Sequence, residues 1–318
     1  MTPNALRLDA YRTAIALDTP PRPLAPPAPA EDLPALTRAA LRLLAGDPAA
    51  LRLGLTAKDL EQADDTRARL LLRTVLTVRA PGPLPAGAAR ILDALLGGER
   101  LARTVTDPAR LPTLADQLPT TAYRAADRTT LWQGDITTLA ADAIVNAANS
   151  AMLGCFVPMH PCIDNAIHNA AGPGLRDDCH TVMELQGHPE PTGTAKITRG
   201  GRLPAPYVLH TVGPIVDGTS GPDHEQSLAS SYRACLDLAA ETGGIRTVAF
   251  CSISTGVFGF PKAPAARIAL DTAADWLDQH PGVLDRVIFN VYADHDHATY
   301  LHALTRPAPD PLEGNLSR

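Results

Sequence analysis

Apolar positions along the chain follow two different rhythms. In roughly the first 120 residues Leu and Ala recur three and four positions apart, in "LPALTRAALRLLAG" (33–46), "DDTRARLLLRTVLTV" (64–78) and "GPLPAGAARILDALLGG" (82–98). That spacing lines one face of a helix, so three amphipathic helices are predicted, the third stopped by its Gly pair. Ahead of them "TPPRPLAPPAPAEDLP" should run extended or as polyproline II. From about Tyr123 the rhythm shortens. "TTLWQGDIT", "DAIVNAAN", "YVLHTVG", "TVAFCSIS" and "RVIFNVYAD" read as strands closing into loops. Between them "DNAIHNAAG", "EQSLASSYRACLDLAAET" and "PAARIALDTAADWLDQH" keep a helical period. Alternating strands and helices predict an α/β sandwich, a largely parallel sheet covered on both faces. Ligands of such folds bind outside the carboxyl ends of the strands, so the loops that follow the strands are where chemistry is expected.

This gives three regions: a helical N-terminal extension with a Pro-rich stretch (1–122), the α/β domain (123–306) and a flexible tail (307–318). Charge and composition narrow the function. A formal net charge of −6 argues against a broad nucleic-acid-binding face, although a local anion pocket of backbone N–H groups needs no net positive charge. No apolar run approaches the roughly 20 residues of a membrane span. "MTPNALRLDAYRTAIALDT" lacks the basic and apolar regions of a secretory signal. Five cysteines, an odd number, speak against a disulfide framework, and a cytoplasmic setting is expected.

Four loops carry candidate chemistry. Asp135, in "QGDIT", can accept a hydrogen bond from a ligand amine or can cap a turn. Asn146 and Asn149, in "IVNAANS", follow a strand and can be turn residues or ligand contacts. "CSISTGVFGFP" (251–261) has the small residues of an anion nest, yet it is neither a Walker A loop nor GxGxxG. "LGCFVPMHPCIDNAIH" (153–168) holds Cys155, His160 and Cys162 as C-x4-H-x-C. Two thiols and an imidazole suit zinc with one position left open, and the competing reading is buried thiols beside a surface histidine. Asp164 either caps the helix that follows or stands as a carboxylate beside the metal. His168, one helical turn on, is expected to be packed.

Taken together, "GDITTLAADAIVNAANSAMLG", "IDNAIHNAAGPGL", "GTAKITRGGRLPAPYVLHTVGP", "SISTGVFGFP" and "RVIFNVYADHDHATY" resemble the macrodomain family, in order and spacing, from about Leu131 to Leu304. The resemblance implies a three-layer α/β/α fold with a mixed central sheet. Most of the family carries a run of glycines where this chain has "CFVPMHPCID", a replacement that resembles the zinc-dependent class, whose members also carry an N-terminal extension. It implies that Asp135, with Ile136 beside it, meets the adenine amine of ADP-ribose and that Tyr292 lies against the adenine ring. Ser254, Thr255, Gly256, Val257 and Phe258 would wrap the diphosphate and proximal ribose. Asn149 would face the distal ribose, Asp164 would be the catalytic aspartate, and Cys155, His160 and Cys162 would hold Zn2+.

The class resembles hydrolases that remove mono-ADP-ribose from acidic side chains of modified proteins, with a lipoyl-carrier-like protein as one implied partner. A bound zinc could activate water or grip the substrate. Two other readings stay open: an ADP-ribose reader without catalysis, and an O-acetyl-ADP-ribose deacetylase. No adjacent Glu pair in the loops supports a poly(ADP-ribose) glycohydrolase.

Overall fold

Two hydrophobic cores organise the chain in the computed structural model, which describes residues 5–19 and 23–305. The tail expected at 307–318 lies outside the described residues. The N-terminal region contains α1 (Leu8–Tyr11), α2 (Leu33–Leu44), α3 (Pro48–Arg52), α4 (Ala57–Gln62), α5 (Asp65–Val78), α6 (Ala88–Leu101) and α7 (Leu114–Gln117). The amphipathic faces of α2, α5 and α6 meet around Leu41, Leu44, Leu72, Val75, Leu92 and Leu95, closing the first core. The three predicted helices are these three, with one correction. α6 does not stop at Gly97–Gly98 but runs on to Leu101. A side chain at Gly98 would lie 2.4 Å from the carbonyl oxygen of Ala28, so the glycines let the Pro-rich segment seat directly on the helix.

The second core belongs to the α/β region: β1 (Thr129–Gln133), β2 (Ala143–Ala147), α8 (Ile163–Ala171), α9 (Pro173–Gln186), β3 (Ala195–Arg199), β4 (Tyr207–Thr211), α10 (Pro222–Thr242), β5 (Thr247–Phe250), α11 (Lys262–Gln279), β6 (Arg286–Val291) and α12 (Asp294–Thr305). The six strands form one sheet in the order β1-β6-β5-β2-β4-β3, parallel throughout except for β3 against β4. α8 packs on β2 and α9 on β3, whereas α10, α11 and α12 pack side by side as a second layer. This is the expected α/β/α arrangement with a mixed sheet.

Leu8, Tyr11, Ile15, Leu17 and Leu114, all ahead of the sheet in sequence, are buried in this second core rather than the first. The Tyr11 hydroxyl accepts the backbone N–H of Ile197 on the edge strand β3 at 3.0 Å. β3 breaks the apolar pattern because its Lys196 is fully buried, held by both carboxylate oxygens of Glu190 at 2.7 Å. Among the described residues no helix is long and apolar enough to cross a membrane.

Candidate active site

Five parallel strands end at one edge of the sheet, and the loops leaving β1, β2, β4, β5 and β6 therefore gather there. The loop after β5 is built from backbone. Ser254 sits at φ +64°, a left-handed conformation unusual for a side-chain-bearing residue, and turns the chain so that Phe260 N–H closes on Ser254 O at 3.0 Å. Inside that turn the N–H groups of Gly256, Val257 and Phe258 donate to no other group among the described residues. Three free successive donors are what an anion such as a diphosphate requires. The loop after β4 straps this turn from below, with Val216 N–H donating to Phe258 O at 2.7 Å. Gly213 lies so close that a side-chain carbon there would be 2.0 Å from the Ser254 hydroxyl.

The loop between β2 and α8 is built from side chains. Cys155, His160 and Cys162, all half-buried, bring their donor atoms within 4.8 Å of one another, with Cys155 Sγ 3.7 Å from His160 Nδ1. Tetrahedral zinc with sulfur ligands near 2.3 Å and nitrogen near 2.0 Å sets such donors about 3.5–3.8 Å apart, so this donor set fits the metal. Burial pushes the Cys162 thiol up to about 11, and the nearby Cys155 adds to it. Burial therefore disfavours a bare thiolate at Cys162, and a divalent cation bound there would supply the charge that favours it. Asn165 ties the loop down, donating to Val157 O at 2.9 Å and to His160 O at 3.1 Å. Met152 and Met159, both at φ +62°, show that the loop is held in a locally costly shape.

Asp164 does not cap α8. Cys162 does, its sulfur accepting the Asn165 N–H at 3.4 Å, so Asp164 falls inside the first turn and is buried. Burial raises its carboxyl to about 6, against the opposing pull of a hydrogen bond from Asn146 and the charge of Arg176. Asn146 lies within β2, fully buried, rather than in the loop beyond it. Its amide nitrogen reaches Asp164 Oδ1 at 2.8 Å and His210 Nδ1 at 3.2 Å. An amide NH2 only donates, so His210 Nδ1 accepts and its Nε2–H points to Thr198 Oγ1 at 2.9 Å. His168 is packed as expected, its Nε2 3.4 Å from Asp164.

A family model described as Macro domain matches residues 145–269. A protein of Treponema medium named protein-ADP-ribose hydrolase is 46% identical over 237 residues, 74% of this chain and 87% of the other. The chain belongs to the macrodomain family. A Staphylococcus aureus (strain MSSA476) protein of the same name is 49% identical over 183 residues, covering 57% of this chain and 68% of the other. The Trypanosoma brucei macrodomain solved in complex with ADP-ribose is 31% identical, with a TM-score of 0.52, over 82% of this chain and 93% of that one.

In this macrodomain the remaining predicted positions lie along the same edge. Asp135 caps the 3-10 turn over Ile136–Thr138, accepting from Thr137 N–H at 2.9 Å, and its other oxygen pairs with Arg103. Ile136 is buried beneath it. Tyr292, at the end of β6, is 79% exposed, and Val257, on the anion turn, 75%. Asn149 holds its own loop, donating to Gly154 O at 3.1 Å and accepting from Ala151 N–H at 3.0 Å. Sequence reasoning missed Arg103, Arg176 and His210. An arginine in a helix-rich segment and a histidine inside an apolar strand carry no spacing signal of their own.

Proposed function

We propose that this macrodomain is a zinc-dependent hydrolase that removes mono-ADP-ribose from acidic side chains of modified proteins. The observation that carries the reading is the three-donor loop, Cys155, His160 and Cys162, standing on the helix that bears a buried Asp164. The names of the Treponema and Staphylococcus relatives support the hydrolase activity.

The bond cleaved is an ester at the distal ribose, and cleavage needs a placed ribose, an activated water and little bulk solvent. The free N–H groups of Gly256, Val257 and Phe258 bind the diphosphate and so fix the far end of the ligand. Tyr292 offers an exposed ring to the adenine, and Asp135, held by Thr137 and Arg103, offers a carboxylate lone pair to its amine. When bound to the two sulfurs and the imidazole, zinc supplies Lewis acidity to a water or ribose oxygen. Asp164, with a carboxyl raised toward neutrality, takes a proton from the attacking water, and Asn146 fixes which carboxylate oxygen is turned inward. Asn149 keeps the loop closed around Gly154 and presents its amide edge to the ribose.

The test is release of free ADP-ribose from a protein mono-ADP-ribosylated on acidic residues, before and after zinc is stripped. Release should vanish on stripping and return with added zinc. Binding of ADP-ribose with no release in either state would leave a reader. Release only from O-acetyl-ADP-ribose would move the substrate to the free ester.

A further inference from the structure

Arg176, on α9, is buried, and among the described residues no carboxylate lies within ion-pair distance of it, although its charge is felt by Asp164. Its guanidinium instead reaches in two directions. Toward the metal loop, Nε donates to Leu153 O at 2.8 Å, and the guanidinium carbon lies 4.6 Å from the centre of the Phe156 ring. Leu153 and Phe156 flank Cys155. Toward the extension, Nη1 donates to Leu76 O at 2.9 Å and to Arg79 O at 2.5 Å, both at the C-terminal end of α5. The carbonyls of a helix C-terminus have no partners within the helix and carry its partial negative charge, so they suit a cation. That end of α5 is itself fixed: Arg79 Nε donates to buried Asp47 at 2.9 Å, and Arg79 also donates to the carbonyls of Gly82 and Pro83.

We propose that Arg176 is a positioning residue through which the helical extension holds the metal loop in its ligating shape. The inference rests on the reading of Cys155, His160 and Cys162 as zinc ligands. A planar guanidinium can bond carbonyls on two sides and stack on a ring at once, which an ammonium cannot, so Arg176→Lys keeps the charge and loses the strut. The extension then contributes to metal retention without touching the metal.

The experiment is a chelator competition for zinc with the full chain, together with thermal melts of the metal-free proteins. Wild type is compared with R176K, F156L and D47N. Phe156 is partly exposed, so F156L removes only the ring from the strut. D47N keeps the oxygen that caps α3 and loosens Arg79 from within the extension. R176K is expected to bind zinc at least ~10-fold more weakly, as loss of a group that supports metal ligands does, with F156L and D47N weakened in the same direction. If wild type binds no zinc, the ligand reading itself fails. If wild type binds and the folded variants match its affinity, the strut is overturned, whatever their melting temperatures. Should R176K not fold, F156L and D47N decide by the same two outcomes.

Discussion

The loop after β5 and the loop before α8 leave the same edge of the sheet and are made of different material. The first offers backbone N–H groups from small or outward-facing residues, and nothing in Ser252–Phe260 titrates. The second offers two sulfurs, an imidazole and a buried carboxylate. A backbone site tolerates many side-chain changes but not a change of chain path. A side-chain site tolerates neither loss of a donor nor loss of what holds the donors. The extension reaches the second loop through Arg176, whereas the first is strapped by its neighbour after β4.

The largest effect should come from breaking the side-chain half. C155S, C162S or D164A each should cut turnover by at least ~100-fold, consistent with metal and general-base roles. Near-normal turnover in a steady-state assay would remove that residue from the mechanism. In the backbone half the sensitive position is a neighbour. G213A places a carbon 2.0 Å from Ser254 Oγ and 2.7 Å from Ile253 Cγ2, and should weaken ADP-ribose binding by about 10-fold, roughly 1.4 kcal/mol, as the turn is pushed aside. Calorimetry with unchanged affinity would show that the turn does not bind the ligand.

The buried polar groups behind Asp164 also make stability depend on acid. Burial holds His210 neutral, lowering it from 6.5 to about 3. Below pH 6.5 the unfolded chain accepts a proton that folded His210 refuses, so this residue's contribution to stability falls with pH, by about 1.4 kcal/mol per unit. Asp164 acts oppositely: raised to about 6, it takes up its proton first in the folded state. H210Q removes only the first effect. Its deficit against wild type in urea melts should therefore shrink as pH drops below 6.5, and a constant deficit would contradict the assignment. The smallest effect is expected at Gly256, which has no atom within 4 Å of an added side-chain carbon and no left-handed φ. G256A should change ADP-ribose affinity by about 0.5 kcal/mol or less, and a large loss would mean that ligand or partner packs there.

The three long helices of the extension were legible from spacing, and so were five of the six strands, because their buried faces are plainly apolar. β3 escaped: a five-residue strand with a buried lysine does not alternate, and the Glu190 carboxylate that satisfies Lys196 lies outside the strand. The Gly97–Gly98 pair misled, since a glycine stop and a glycine chosen for close approach look alike until the Pro-rich segment is in place. C-x4-H-x-C was readable because its donors are close in sequence. Asp164 was found, but its neighbours Asn146, His210 and Arg176 come from other elements and meet it only through the fold.

Tyr11 has a consequence beyond its bond to Ile197. β3 closes one side of the sheet, and an exposed edge N–H is a template on which a strand of another molecule can add. The hydroxyl, with Leu8 and Ile15 buried around it, occupies that template with a short helix that cannot propagate a sheet. The first described helix thus fills an edge donor that an added strand would use, and trimming it would bare that donor and open the core in which Leu8, Tyr11, Ile15 and Leu17 are buried.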